Sequence, residues 1–361
     1  MPDLFSPMQI GSLALPNRLV MAPMTRTRSS DDGVHGPMNA EYYAQRATAG
    51  LIVTECTPVS ASSRGILRAP GITTDEQVEG WRGVTQAVHD AGGRIYLQLW
   101  HCGRVTHTSL LDGALPVAPS AIAATGEIFT PAGRVPYEVP RALELPEIAA
   151  IIADFHRGAE HAEDAGFDGV ELHGAFGYLP DQFLQSASNH RTDQYGGSLE
   201  NRARFMLEVV DTLVDVWGAT RVGVKLSPSN RVNGISDAHA ADTFGHVVRE
   251  LDRRSVGYIH LMEPNAKDIE TGTVQIEHVT RLLRPMFRGT VITNGGYDKS
   301  RATAALAEGM ADLVSFGVPY VANPDLMERF RHDPPPLNTP DPTTFYAEGP
   351  GGYTDYPFLP H

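Results

Sequence analysis

His173 and Tyr178 stand five residues apart, just after a short apolar run, Gly169–Leu172. An imidazole can donate a hydrogen bond to a ligand oxygen, and a phenol can give up a proton. The run reads as a buried parallel strand whose C-terminal end delivers both groups into one pocket. Lys225, embedded in the apolar stretch VGVKLS, is a third candidate. A buried ammonium is costly without a partner, so its place there points to a ligand. His101 and His107 lack the partners of a metal site, and no metal is expected. Cys56 and Cys102 are isolated and form no CxxC or zinc pattern; they read as small buried fillers rather than nucleophiles.

Elements able to position these groups recur along the chain. Apolar runs occur at Arg18–Pro23, Leu51–Glu55, Ile95–Trp100, Gly169–His173, Val222–Leu226, Tyr258–Met262, Val291–Asn294 and Leu313–Gly317. Helical periodicity separates many of them, at Glu76–Ala91, Pro146–Ala165, Leu199–Val216, Ala238–Arg253 and Ser300–Glu308. Gly50, Gly92, Gly166 and Gly309 stand where helices must stop before the next run. Eight strands alternating with helices argue for an α/β fold, a parallel (β/α)8 TIM barrel. A two-domain dinucleotide-binding plan competes, but no G-x-G-x-x-G follows any strand. A single barrel domain over residues 1–361 is therefore expected. The stretch at about 103–144, rich in Pro, Gly, Ala and Thr, reads as a cap inserted after the third strand, built as a hairpin over the barrel mouth. The proline-rich stretch at about 332–361 reads as an irregular tail.

Barrel sites are built from the C-terminal strand ends and the loops that follow them. Polar or glycine residues punctuate the runs there: Ala22-Pro23-Met24-Thr25, Gln98-Leu99-Trp100-His101, His173, Lys225, Asn294-Gly295-Gly296 and Phe316-Gly317. Such scattered contacts suit a flat, partly polar ring system bound across the mouth. Composition narrows the partners. With 43 acidic against 29 basic residues the net charge is −14, which argues against nucleic acid or an anionic membrane. No stretch of about 18 apolar residues exists, and the N-terminus lacks a signal-peptide pattern. A cytoplasmic monomer or homodimer acting on a small molecule is the expectation.

The run DQYGGSLENRAR at 193–204 and the His-x-x-x-x-Tyr spacing resemble the old yellow enzyme family of flavin-dependent ene-reductases. The likeness extends from Leu4 to Pro357. It implies FMN as cofactor and NADPH or NADH as reductant. By the same resemblance Ala22, Pro23 and Met24 line the flavin ring, with Cys56 in the same lining. Thr25 meets the flavin C4 oxygen, Gln98 the pyrimidine edge, and Lys225 the N1 and C2-oxygen side. Asn294, Gly295, Gly296, Phe316, Gly317 and Val318 surround the phosphate. Trp100, Ile66, Phe176 and Tyr353 flank the substrate beside His173 and Tyr178. The substrate implied is an electron-poor alkene such as an α,β-unsaturated ketone, aldehyde or imide. Hydride passes from the flavin to its β-carbon while Tyr178 protonates the α-carbon. Arg202 and Arg204 are assigned to the fold, pairing with acids on neighbouring loops.

Four positions depart from the family pattern. Phe176 replaces a second donor, Lys225 an arginine, Val318 a phosphate-binding arginine, and Ile66 a tyrosine. Lysine keeps the charge but not the planar fork. Losing one charge-assisted phosphate contact costs about 1.5–3 kcal/mol. The set admits two other readings: a non-redox isomerase or cyclase using Tyr178 as acid, or a protein that keeps flavin without turnover. With Phe176 in place of a donor, stabilisation of the developing enolate is about halved. Steady-state turnover of cyclohexenone is therefore expected to be slow and to rise in Phe176→Asn; fast turnover unchanged by that substitution contradicts the reading.

Overall fold

The computed structural model describes residues 2–270 and 272–360. Eight parallel strands close into a barrel: β1 (Leu19–Met21), β2 (Leu51–Pro58), β3 (Ile95–Trp100), β4 (Gly169–Gly174), β5 (Val222–Leu226), β6 (Tyr258–Met262), β7 (Thr290–Asn294) and β8 (Leu313–Phe316). Each strand pairs with the next, and β8 returns to β1 through Val314 opposite Leu19. Helices cover the outside: α1 (Pro37–Ala44), α2 (Asp75–Asp90), α3 (Leu145–Asp164), α4 (Leu199–Trp217), α5 (Ala240–Arg253), α6 (Val279–Leu283), α7 (Lys299–Ala307) and α8 (Val318–Ala322). The strand runs of the sequence lie within a few residues of those observed. The short helices α1, α6 and α8 carry too little periodicity to be found that way.

The glycines expected to stop helices do two different jobs. Gly92, Gly166 and Gly309 take the left-handed conformation, with φ of 80°, 83° and 68°. Gly50 does not; a Cβ there would stand 2.2 Å from the Asn17 carbonyl oxygen, so its role is close approach to β1. Inside the barrel the same requirement recurs. Tyr96 and Tyr258 fill the lower interior with ring centroids 5.9 Å apart. They pack with Val20, Leu51, Val53, Ile292 and Leu313, and with Ile10 and Leu15 from the N-terminal hairpin Met8–Ile10/Leu13–Leu15. The barrel is thus plugged with apolar groups at its N-terminal end, leaving polar groups to the other.

Between β3 and α3 the chain forms an antiparallel hairpin, Glu127–Thr130 with Gly133–Pro136, and a parallel pair, Val117–Ala118 with Arg141–Ala142. Arg104 anchors this segment, donating to Ile122 O at 3.1 Å and to Asn233 O at 3.2 Å in the loop after β5. The C-terminal tail is tied down by arginines from the loop after β1. Arg26 donates to Gly352 O at 2.7 Å, and Arg28 to Thr344 O at 2.8 Å and Gly351 O at 3.0 Å. No helix among the described residues is long and apolar enough to cross a membrane.

A Cβ at Gly223 would lie 2.1 Å from the Tyr258 ring, inside a packed layer with nowhere to yield. Gly223→Ala is expected to destabilise the protein by about 1–3 kcal/mol, the usual scale of overpacking. Chemical denaturation measures it; an unchanged midpoint and slope means that the tyrosine layer can shift.

Candidate active site

At the C-terminal ends of β1 to β5 a cleft of about 450 Å³ is lined by Pro23, Thr25, Cys56, Gln98, His173, Phe176, Tyr178 and Lys225. All eight were singled out in the sequence. Parallel register explains their convergence: Gln98 and Lys225 flank β4 on neighbouring strands, with Glu171 opposite Gln98 and His173 opposite Lys225. A second cleft, lined by Arg64, Ile66, Arg68 and Leu110 among others, lies on the far side of Ile66 and holds none of these groups.

The His173 and Tyr178 rings meet edge to face, with centroids 4.8 Å apart. Trp100 backs Tyr178 at 5.0 Å and is wholly buried, so it supports the phenol rather than lining the cleft. Burial, followed by the nearby Lys225 ammonium, pushes the imidazole down to about 3, so it is neutral. Its Nδ1 is fully enclosed and has no hydrogen-bond partner among the described residues. Burial pushes the Tyr178 phenol well above its ordinary value, and the fields of Cys56 and Tyr137 add to this. It stays protonated and can act only as an acid. Tyr137, just after the hairpin Glu127–Thr130/Gly133–Pro136, and the exposed Tyr346 of the tail both bear on Tyr178. Neither signalled itself in the sequence.

Phe176 has φ of 55°, a left-handed conformation that costs a non-glycine residue about 1–3 kcal/mol. Its backbone is clamped. The N–H donates to Ser227 Oγ at 2.7 Å, and Asn233 Nδ2 donates to the carbonyl at 2.9 Å. Gly177 follows at φ 75°, its N–H donating to Asp181 Oδ2 at 2.9 Å. Burial pushes the Asp181 carboxyl up to about 7. The turn aims the Phe176 ring at His173, 6.0 Å away, and at Lys225 Nζ, 5.7 Å away. Asparagine tolerates this conformation far better, so Phe176→Asn relieves strain as well as adding a donor.

Under the cleft lies a polar layer with no counterpart in the sequence reading. The carboxylate of Glu171 is wholly buried on β4; it accepts from Gln98 Nε2 at 2.7 Å and from His260 Nδ1 at 2.9 Å. His260 Nε2 in turn meets Ser315 Oγ at 2.7 Å. Burial alone would raise Glu171, but His260, Lys225 and the Gln98 hydrogen bond outweigh it and hold the carboxyl below its ordinary range. A signal existed. Glu171 precedes His173 by two residues, hence shares its inward face, and a carboxylate there needs partners. Behind Thr25, a second buried carboxyl, Glu55, accepts the Arg26 N–H at 3.0 Å and the Tyr43 hydroxyl at 3.3 Å. Thr25 itself lies 3.4 Å from the Cys56 sulfur, whose thiol burial pushes up to about 12.

Other expected residues lie apart from the cleft lining. Ala22 is buried and donates to Phe316 O at 3.0 Å; Met24 is half-buried. Ile66 packs beside Cys56, Trp100 and Tyr178, forming the wall between the two clefts. Tyr353 is fully enclosed in the tail, stacked on Tyr42 at 4.0 Å with the Arg28 guanidinium 4.6 Å from its ring. At the ends of β7 and β8, Asn294 Nδ2 donates to Ser315 O at 3.0 Å, and Gly296, at φ 64°, has open space around it. Val318 is 52% exposed at the start of α8. Arg301 reaches back to Gly296 O at 2.8 Å, placing a cation beside that loop. Arg202 pairs with Asp237 at 3.3 Å, whereas Arg204 holds the carbonyl of Gln194 at 2.8 Å and Asn201 Oδ1 at 3.0 Å, not an acid.

Lys225 makes no hydrogen bond among the described residues and is only 3% exposed. Burial pushes it down from 10.5 to about 8, with Glu171 opposing the fall. Below pH 8 the folded protein bears the whole cost of this buried ammonium; between about 8 and 10.5 the unfolded chain holds more protons, so stability rises with pH. The unfolding free energy of Lys225→Met minus that of wild type is therefore expected to be flat below pH 8 and to shrink towards pH 10.5. A difference independent of pH across that window refutes this account of the lysine.

The His173 imidazole, the Lys225 ammonium and a Gln98 side-chain oxygen without a partner all belong to the lining of one cleft. A flat ring with carbonyl and imide edges would satisfy such a set, so the residues fit a flavin. Residues 3–335 match the model of the NADH:flavin oxidoreductase / NADH oxidase family. 12-Oxophytodienoate reductase 1 of Oryza sativa subsp. japonica is 44% identical, over 99% of this chain and 93% of the rice protein. A probable flavin mononucleotide-dependent alkene reductase of Leishmania infantum is 40% identical, over 99% of this chain and 97% of that protein. Morphinone reductase in complex with tetrahydroNAD matches with a TM-score of 0.93 at 48% identity, covering 100% of this chain and 98% of that one. The old yellow enzyme homologue from Zymomonas mobilis gives 0.95 at 43% identity, covering 99% and 100%. With this barrel, this cleft and these likenesses together, the chain belongs to the NADH:flavin oxidoreductase / NADH oxidase family, as an FMN-dependent oxidoreductase of the old yellow enzyme type.

Proposed function

We propose that the protein reduces the C=C bond of an α,β-unsaturated carbonyl compound or similar electron-poor alkene. The observation that carries this is the neutral imidazole of His173 set 4.8 Å from the Tyr178 ring in the lining of one cleft. His173 donates to the substrate oxygen and stabilises the enolate charge that develops there. Tyr178, kept protonated by burial, delivers the proton to the α-carbon. When bound, the reduced flavin supplies the hydride, and NADH or NADPH restores it. Thr25, Gln98 and Lys225 hold the polar edge of that cofactor, and the Gly295–Gly296 and Phe316–Gly317 backbone cradles its phosphate beside Val318. Ala22, Pro23, Met24 and Cys56 back the ring.

Phe176 shapes the substrate range. It contributes no donor, so His173 carries the oxygen alone, and its ring adds an apolar face opposite Lys225. Alkenes already strongly activated, such as imides, need less oxyanion stabilisation and suit this cleft better than simple enones.

Purified protein given FMN is expected to be yellow, to bleach anaerobically with NADH or NADPH, and to regain colour on addition of a maleimide. In Tyr178→Phe the bleaching rate stays the same while the return of colour slows by about 10²–10⁴-fold, the usual worth of a general acid. Colour returning as fast as in wild type removes Tyr178 as proton donor. A protein that stays colourless with added FMN supports non-redox chemistry, and one that is yellow but never bleaches supports a flavin-binding role without turnover.

A further inference from the structure

The polar layer beneath the cleft is not used by the chemistry above, yet its geometry dictates how one cofactor contact is presented. Gln98 is an amide, and its two ends differ: nitrogen donates, oxygen accepts. Its Nε2 donates to the buried Glu171 carboxylate at 2.7 Å. Glu171 is acceptor-only when ionised, and it is held ionised between His260 and Lys225. The opposite orientation would set the amide oxygen against a buried carboxylate oxygen, which costs far more than the bond it replaces. The Gln98 oxygen must therefore turn away from Glu171; it has no partner among the described residues, and Gln98 is part of the cleft lining. Beside it, Lys225 offers only donors.

We propose that Glu171 is a positioning residue for cofactor binding: it locks the Gln98 carboxamide with its oxygen towards the cleft, so that the floor presents an acceptor next to the Lys225 donor. An acceptor beside a donor matches an imide edge, where an N–H adjoins a carbonyl, and such an edge is found on the flavin pyrimidine. Ser315 and His260 extend the lock. Neutral His260 donates its one N–H to Glu171 and receives the Ser315 hydroxyl at 2.7 Å. The inference rests on the flavin reading, and its test separates the two.

Glu171→Gln and Glu171→Met both remove the charge beside Lys225, but only the glutamine keeps an acceptor for Gln98 Nε2, with His260 free to change tautomer. Dissociation constants for FMN come from quenching of its fluorescence by the cofactor-free proteins. Glu171→Gln is expected to bind FMN about tenfold more tightly than Glu171→Met, about the worth of one hydrogen bond. In a Gln98→Leu background that difference should vanish. Equal binding by the two Glu171 variants, or a difference that persists without Gln98, overturns the proposal. Failure of the wild type itself to bind FMN overturns the flavin reading instead. If the methionine variant does not fold, the wild type still decides: one side-chain amide proton of Gln98 should resonate far downfield in NMR and exchange slowly, in the cofactor-free protein and with FMN. Two Gln98 amide protons at ordinary positions with rapid exchange overturn it.

Discussion

A carboxylate and an ammonium, Glu171 and Lys225, are buried together inside the barrel, and the site is arranged around what that burial demands. An isolated ion in such a place is prohibitively costly. Glu171 meets the cost with two short hydrogen bonds and the field of Lys225. Lys225 has no hydrogen bond among the described residues, only that field and an aromatic face 5.7 Å away. The ammonium is therefore the less compensated of the two. Burial, helped by the Lys225 cation, keeps the His173 imidazole neutral.

The layering of the barrel makes this affordable. Tyr96, Tyr258 and the N-terminal hairpin fill the lower interior with apolar groups, which excludes water from beneath the carboxylate. The polar layer comes next, with Glu171, His260 and Ser315 from alternate strands, as barrel geometry requires. The mouth carries His173, Phe176 and Tyr178 on β4 and the turn that follows it. That turn is held in a strained conformation by Ser227 and Asn233 of the loop after β5 and by Asp181, and the strain persists because these contacts determine it together.

Outside the cleft, the diagnostic run 193–204 proves to be scaffolding. Arg191 grips Asp193 at 2.6 Å, Ser198 caps α4, and Arg202 spans to Leu184 O at 2.9 Å, while none of these side chains enters the cleft. Arg26 and Arg28 likewise spend their guanidiniums on tail carbonyls. Their effect on chemistry is indirect, since the same loop carries Thr25 and the same tail brings Tyr346 near Tyr178.

Alternating apolar runs and helical stretches were enough to read eight strands, the barrel, and the residues at the strand ends, because parallel strands buried on both faces leave continuous apolar signatures. His173, Tyr178, Thr25, Gln98 and Lys225 were legible because polar residues ending such runs must face the mouth. Three things were decided only by tertiary structure. Glu171, His260 and Ser315 come from three strands far apart in the chain, and only closure of the barrel brings their hydrogen bonds together. Tyr353 belongs to a segment whose path depends on arginines some three hundred residues away, so its burial against Tyr42 has no local signature. The left-handed backbone of Phe176 is likewise invisible to propensity, which disfavours it, and exists because contacts distant in sequence outweigh the local preference.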